Sequence, residues 1–202
     1  MRVKVCGFTR EQDVRAALDA GVDALGFNLA RGPRRITPER AAQLAALVPP
    51  LVQAVALFVD ADEEAILAAL ATTRCSVVQL HGDEPPELAE RLRRRVPVIK
   101  AFRLASAADL GRVRGYPADA YLLDAAVAGA HGGTGTVWDH RWLGGRELGA
   151  PLILAGGLTP GNVAAAVAGV RPWAVDTASG VESAPGVKDA VLMRAFVAAA
   201  RA

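Results

Sequence analysis

Short β-branched, apolar runs alternate with helix-forming segments eight times along this chain, and that alternation limits the fold more than any other feature. The strand-like runs are 2–6, 24–28, 54–59, 77–80, 98–102, 120–124, 152–155 and 173–176. Helix starts fall between them: after Thr9, at Thr37-Pro38 with proline in the first helical position, after Asp60, near Pro85-Pro86, after Ser106 and at Thr159-Pro160. Gly21 is placed to stop the first helix, and a final helix is expected from about Val187 to the C-terminus. Strict alternation of strand and helix implies a parallel sheet. Eight units in 202 residues leave about 25 residues each, enough for one closed barrel with lean loops. The expected fold is therefore α/β, a single (β/α)8 TIM barrel spanning 1–202. An open doubly wound sheet is the competing arrangement, and no G-x-G-x-x-G follows the first strand to support it.

Composition narrows the function classes. No apolar run approaches the roughly 18 residues of a membrane span, and Arg2 and Lys4 interrupt the opening run, so it does not read as a signal peptide. A net charge of +2 gives no basis for nucleic-acid binding. Arg91, Arg93, Arg94 and Arg95 read as a solvated helix face, and Trp138, Trp142 and Trp173 as packing residues. Cys6 ends a strand whereas Cys75 precedes one, so a parallel sheet holds them at opposite ends; two free thiols in a reducing cytoplasm are expected.

In a barrel of this kind the site lies at the C-terminal ends of the strands. Cys6, His81, Asp124 and Asp176 each fall at or just past a strand end, and Arg34 lies in the loop after the second strand. Taken alone, Cys6 reads as a small buried hydrophobe. The gathering of a thiol, an imidazole, two carboxylates and a guanidinium at one mouth favours chemistry there instead. Strand alternation puts Lys4 on the face of Cys6, where it either tunes the thiol or pairs with Asp176 on the neighbouring strand. Asp176 in turn either orients backbone or touches the ligand. Gly156-Gly157 and Ser179-Gly180 follow the seventh and eighth strands, the usual phosphate position of such barrels. A small phosphorylated ligand is expected.

Lys4-Val5-Cys6-Gly7, Gln79-Leu80-His81-Gly82, Leu123-Asp124, Gly132-Gly133-Thr134-Gly135, Ala155-Gly156-Gly157-Leu158, Ser179-Gly180-Val181-Glu182 and Pro185-Gly186-Val187-Lys188-Asp189 occur in this order over the whole chain. Together they resemble the phosphoribosylanthranilate isomerase family. The resemblance implies the Amadori rearrangement of N-(5-phosphoribosyl)anthranilate in tryptophan biosynthesis, with neither metal nor redox cofactor. It implies Asp124 as general acid and Cys6 as general base. Arg34 matches the arginine that holds the anthranilate carboxylate. The family often carries Ser where this chain has Gly32 and a bulky aromatic where it has Arg35, so Arg34 and Arg35 both stand as candidates, Arg34 the favoured one. The remaining substrate contacts expected are His81, Asp176, Gly156, Gly157, Ser179 and Gly180, with no proton transfer assigned to His81. A monomer or homodimer is expected.

Two other functions fit the barrel less well. A metal-dependent sugar-phosphate epimerase would use His81, Asp124 and Asp176 as ligands, and needs a second well-placed histidine beyond what His131 and His140 offer. A non-catalytic phospho-ligand binding barrel would make Cys6 dispensable.

Overall fold

A computed structural model of the chain describes residues 1–104, 107–125 and 148–202. Eight parallel strands close into a barrel in sequence order: β1 Arg2–Cys6, β2 Ala24–Asn28, β3 Gln53–Phe58, β4 Val77–Leu80, β5 Val98–Leu104, β6 Ala120–Ala125, β7 Leu152–Ala155 and β8 Ala174–Thr177. Closure is made by β1 against β8, with Lys4 in register with Asp176. Outside lie α1 Glu11–Asp19, α2 Pro38–Ala45, α3 Glu63–Thr73, α4 Pro86–Arg93, α5 Val163–Val170 and α6 Ala190–Arg201.

The period-2 pattern of the strands sorts two cores. Val55, Ile99, Ala101, Leu122, Ile153 and Ala155 fill the barrel interior. Val3, Val5, Leu25 and Phe27 belong to the larger layer between strands and helices, with Phe8 and Phe196. Each fully buried Phe contributes roughly 1.5–3 kcal/mol of hydrophobic stabilisation.

Local signals set several helix ends. Thr37 accepts from the Arg40 N–H at 3.2 Å with Pro38 behind it, and Asp62 accepts from the Ala65 N–H at 2.8 Å. Gly21 takes a φ of 79° just past α1. Five expectations need correction. Thr9 does not cap α1: its hydroxyl donates to the Gly186 carbonyl at 2.6 Å, and Arg10 holds the cap position. After β5 the chain forms a 3-10 helix, Ala107–Arg112, in place of an α-helix. Thr159-Pro160 opens a turn closed by Asn162, and α5 starts at Val163. Val187 is not helical: β9 Glu182–Ala184 and β10 Val187–Lys188 form an antiparallel ribbon, and α6 begins at Ala190, capped by Asp189. Trp173 is also not a packing residue; it is 46% exposed, with the Arg2 guanidinium 4.4 Å above its ring.

The arginines at 91, 93, 94 and 95 are exposed as expected, Arg91 pairing with Glu63 and Arg93 with Asp119. Cys6 and Cys75 are both free and buried.

Candidate active site

The C-terminal mouth is built from strand ends. Cys6 closes β1, and its neighbour in register on β2 is Gly26. A Cβ at Gly26 would lie 2.6 Å from Cys6 Sγ, so the absence of a side chain there is what makes room for the thiol. Two positions below, Lys4 Nζ donates to Asp176 Oδ1 at 2.7 Å, and both residues are buried. The sequence alternative of a Lys4–Asp176 ion pair is thus met. Burial works against the Lys4 ammonium, but Asp176 and Cys6 outweigh it and hold Lys4 above the ordinary lysine value. For Cys6 burial dominates and pushes the thiol up, against the pull of Lys4 and Lys188.

Lys188, on the ribbon, is a second cation beneath the thiol's strand end. Its ammonium donates to the Cys6 carbonyl at 2.6 Å, the Ala178 carbonyl at 3.0 Å and Glu182 Oε1 at 2.8 Å. Burial pulls its pKa below the lysine norm, with Glu182 opposing. Glu182 also accepts from Arg34, Nε to Oε1 at 2.8 Å and Nη2 to Oε2 at 2.6 Å. Burial disfavours the Glu182 charge, yet the bonds from Arg34 and Lys188 hold its carboxyl below the usual range. Two cations share one carboxylate in this cluster, leaving one net positive charge where the Arg34 guanidinium is partly exposed. Arg34 also packs over Gly7, where any Cβ would collide with its Cδ. Arg35, by contrast, points to the exposed surface.

Asp124 lies one residue before the end of β6, which is separated from β1 around the barrel by β7 and β8. Its side chain is 31% exposed, and Oδ2 lies 3.7 Å from His81 Nε2. The other ring nitrogen of His81 meets Gln79 Nε2 at 2.9 Å. The loop bearing His81 is fixed by a buried pair: Lys100 Nζ bonds Glu84 Oε2 at 2.8 Å and the Gly82 carbonyl at 2.6 Å, while Glu84 Oε1 accepts from the N–H groups of Asp60 and Gly82, each at 3.0 Å.

On the β7–β8 side, Gly156 and Gly157 take φ values of 91° and 65°, a left-handed pair that a non-glycine residue would adopt only with strain. Ser179-Gly180 opens a single 3-10 turn. The two loops are tied by the Thr177 hydroxyl, which donates to the Leu158 carbonyl at 2.7 Å. Gly180 sits so close to that carbonyl that a Cβ would collide with it.

The mouth therefore brings together Cys6, Arg34, His81, Asp124 and the two glycine loops. Asp176 is committed to Lys4. The three ligands of the epimerase reading are split by that pairing: His81 and Asp124 adjoin, while Asp176 faces the ammonium. Among the described residues no group of three or more His, Cys, Asp and Glu is arranged to hold a metal ion. The glycine-rich stretch at 128–135, His131, Trp138, His140 and Trp142 lie outside the described residues. Gly26, Gln79, Glu182 and Lys188 carry roles that residue-level sequence reasoning did not assign. For Gly26 a signal existed, since a glycine inside a strand marks close approach.

The chain is similar to proteins already known. The family model described as N-(5'phosphoribosyl)anthranilate (PRA) isomerase matches residues 3–199. A curated N-(5'-phosphoribosyl)anthranilate isomerase from Geobacter sulfurreducens is 46% identical, over 100% of this chain and 98% of its own. The crystal structure of phosphoribosyl anthranilate isomerase from Thermotoga maritima superposes with a TM-score of 0.94 at 38% identity, covering 100% of this chain and 98% of that one. A phosphoribosyl anthranilate isomerase in complex with reduced 1-(o-carboxyphenylamino)-1-deoxyribulose 5-phosphate superposes with a TM-score of 0.88 at 35% identity, again over 100% and 98%.

Proposed function

The chain belongs to the N-(5'-phosphoribosyl)anthranilate isomerase family and carries that isomerase activity of tryptophan biosynthesis, and from this premise we propose that Asp124 is its general acid and Cys6 its general base. The whole reaction runs in one catalytic barrel domain, 1–202. Asp124 gives its proton to the ribose ring oxygen. The C1′–O bond breaks, and the lone pair on the anthranilate nitrogen forms the C1′ iminium. Cys6, as thiolate, removes the proton from C2′; those electrons form the C1′–C2′ double bond and neutralise the nitrogen. The enolamine then tautomerises to the ketone. Hydrogen moves from C2′ to C1′ with no net oxidation, so the balance needs no redox partner.

The observation that carries this reading is a buried thiol on β1 and a partly exposed carboxyl on β6 at the same end of the barrel. Burial pushes the Cys6 thiol above its ordinary value in the free protein. The cationic iminium, forming beside a thiol already near Lys4 and Lys188, supplies the further positive charge that draws out the thiolate, the S–H proton passing to solvent water before Cys6 takes the one on C2′. Arg34 holds the anthranilate carboxylate; its Nε and Nη2 are spent on Glu182, and Nη1 is the remaining edge. Backbone N–H groups around Gly156, Gly157, Ser179 and Gly180 take the phosphate, and His81 contacts the substrate beside Asp124. Asp176 serves through Lys4. The free thiols of Cys6 and Cys75 fit a reducing, cytoplasmic setting.

Fluorescence of freshly made phosphoribosylanthranilate tests the reading. Wild-type protein consumes the signal, and Cys6→Ala binds product without consuming it. Turnover at the wild-type rate by Cys6→Ala would remove the base assignment.

A further inference from the structure

Gln79 is a costly residue where it stands. It points into the barrel from β4, is 1% exposed, and its register neighbours Leu57 and Ile99 are apolar. Its Oε1 is buried and meets no hydrogen-bond donor among the described residues. An apolar side chain would avoid that loss. What the amide does make is one bond, from Nε2 to His81 Nδ1 at 2.9 Å.

That bond has a consequence for the ring. A nitrogen that accepts from an amide N–H carries a lone pair, so the neutral imidazole holds its proton on Nε2. Nε2 is the atom that faces Asp124 Oδ2, at 3.7 Å. We propose that Gln79 is a positioning residue that fixes His81 as the Nε2–H tautomer, so that an N–H and not a lone pair meets Asp124. The proposal rests on the reading of Asp124 as general acid. When Asp124 releases its proton to the ring oxygen, a carboxylate forms in front of a donor already oriented toward it. The resting separation is beyond hydrogen-bond range, so the contact tightens only as the negative charge develops. Such an interaction favours the transition state over the bound substrate. The opposite tautomer would aim a lone pair at the new anion.

Nitrogen-15 NMR of labelled histidine reads the tautomer directly. The chain has three histidines, and the loss of one set of signals in His81→Gln assigns His81. At about pH 8, where an ordinary imidazole is neutral, His81 is expected with Nε2 protonated and Nδ1 bare. An Nδ1–H tautomer, or an even mixture, would overturn the proposal. In Gln79→Met the His81 signals should move toward a mixture, and kcat should fall by on the order of tenfold with KM kept. Unmoved His81 signals with wild-type kcat in that variant would equally overturn it. Should Gln79→Met fail to fold, the wild-type spectrum decides alone. The tautomer is read without turnover, so a failure of the Asp124 assignment, seen in Asp124→Asn, is distinguishable from a failure here.

Discussion

Cys6 and Gly26 face each other across the β1–β2 pair so closely that a single added methyl on Gly26 would stand 2.6 Å from the sulfur. Gly26→Ala should therefore push the thiol off its line to C2′ while leaving its chemistry intact. Misplacement by about 1 Å can cost on the order of 10²-fold in rate, and kcat should fall toward that order. Overpacking should cost about 1–3 kcal/mol of stability, leaving a folded protein at 25 °C. Steady-state kinetics with a melting curve checks both; wild-type kcat in a folded Gly26→Ala would contradict the placement.

The Cys6 thiol itself offers a pH test. Burial raises it, so at neutral pH the free protein carries less thiolate than an ordinary cysteine and alkylates slowly. The iodoacetamide rate should rise with pH through an inflection above about 8.5, the ordinary thiol value. Bound product should protect, and Cys6→Ala controls for Cys75. An inflection below the ordinary value would mean that Lys4 and Lys188 outweigh burial.

Arg34→Lys keeps a positive charge but loses the planar fork held by Glu182. KM should rise by roughly tenfold while kcat changes little, because the carboxylate is held alike in ground and transition states. An unchanged KM would move the carboxylate contact elsewhere, with Arg35 the next candidate.

The two phosphate loops respond differently to substitution. A Cβ on Gly157 meets nothing within 4 Å, whereas one on Gly180 collides with the Leu158 carbonyl. Gly157→Asp should keep its fold, with some strain from the positive φ, and raise KM through like-charge repulsion with the phosphate. Gly180→Ala should lower the melting temperature. A Gly157→Asp protein with wild-type KM would take the phosphate away from that loop.

Much of this was legible in the sequence, and the residues show where legibility stopped. The strands were readable because alternation sorts Lys4 and Cys6 from Val3 and Val5, and the register then carries Lys4 to Asp176. Thr37 and Pro38 acted locally, so α2 began where they said. Thr9 looked equivalent, but its hydroxyl is claimed by Gly186, a partner 177 residues away that no local pattern reveals. The positive φ of Gly186 turns the chain into the β9–β10 ribbon, which is why Val187 and Lys188 are paired strand and not helix. The site residues were visible as types at strand ends. Their couplings were not: Glu182 joins Arg34 to Lys188 through the closed ends of the barrel, a relation that exists only in three dimensions.

Asp124→Asn tests the central claim most directly. The substitution keeps size and shape but removes the proton that opens the ring. General acid–base catalysis contributes about 10²–10⁴-fold, and kcat/KM should drop by at least that order. The loss should lie in kcat, with KM and melting temperature close to wild type. A stable Asp124→Asn protein that turns over phosphoribosylanthranilate at the wild-type kcat would contradict the mechanism.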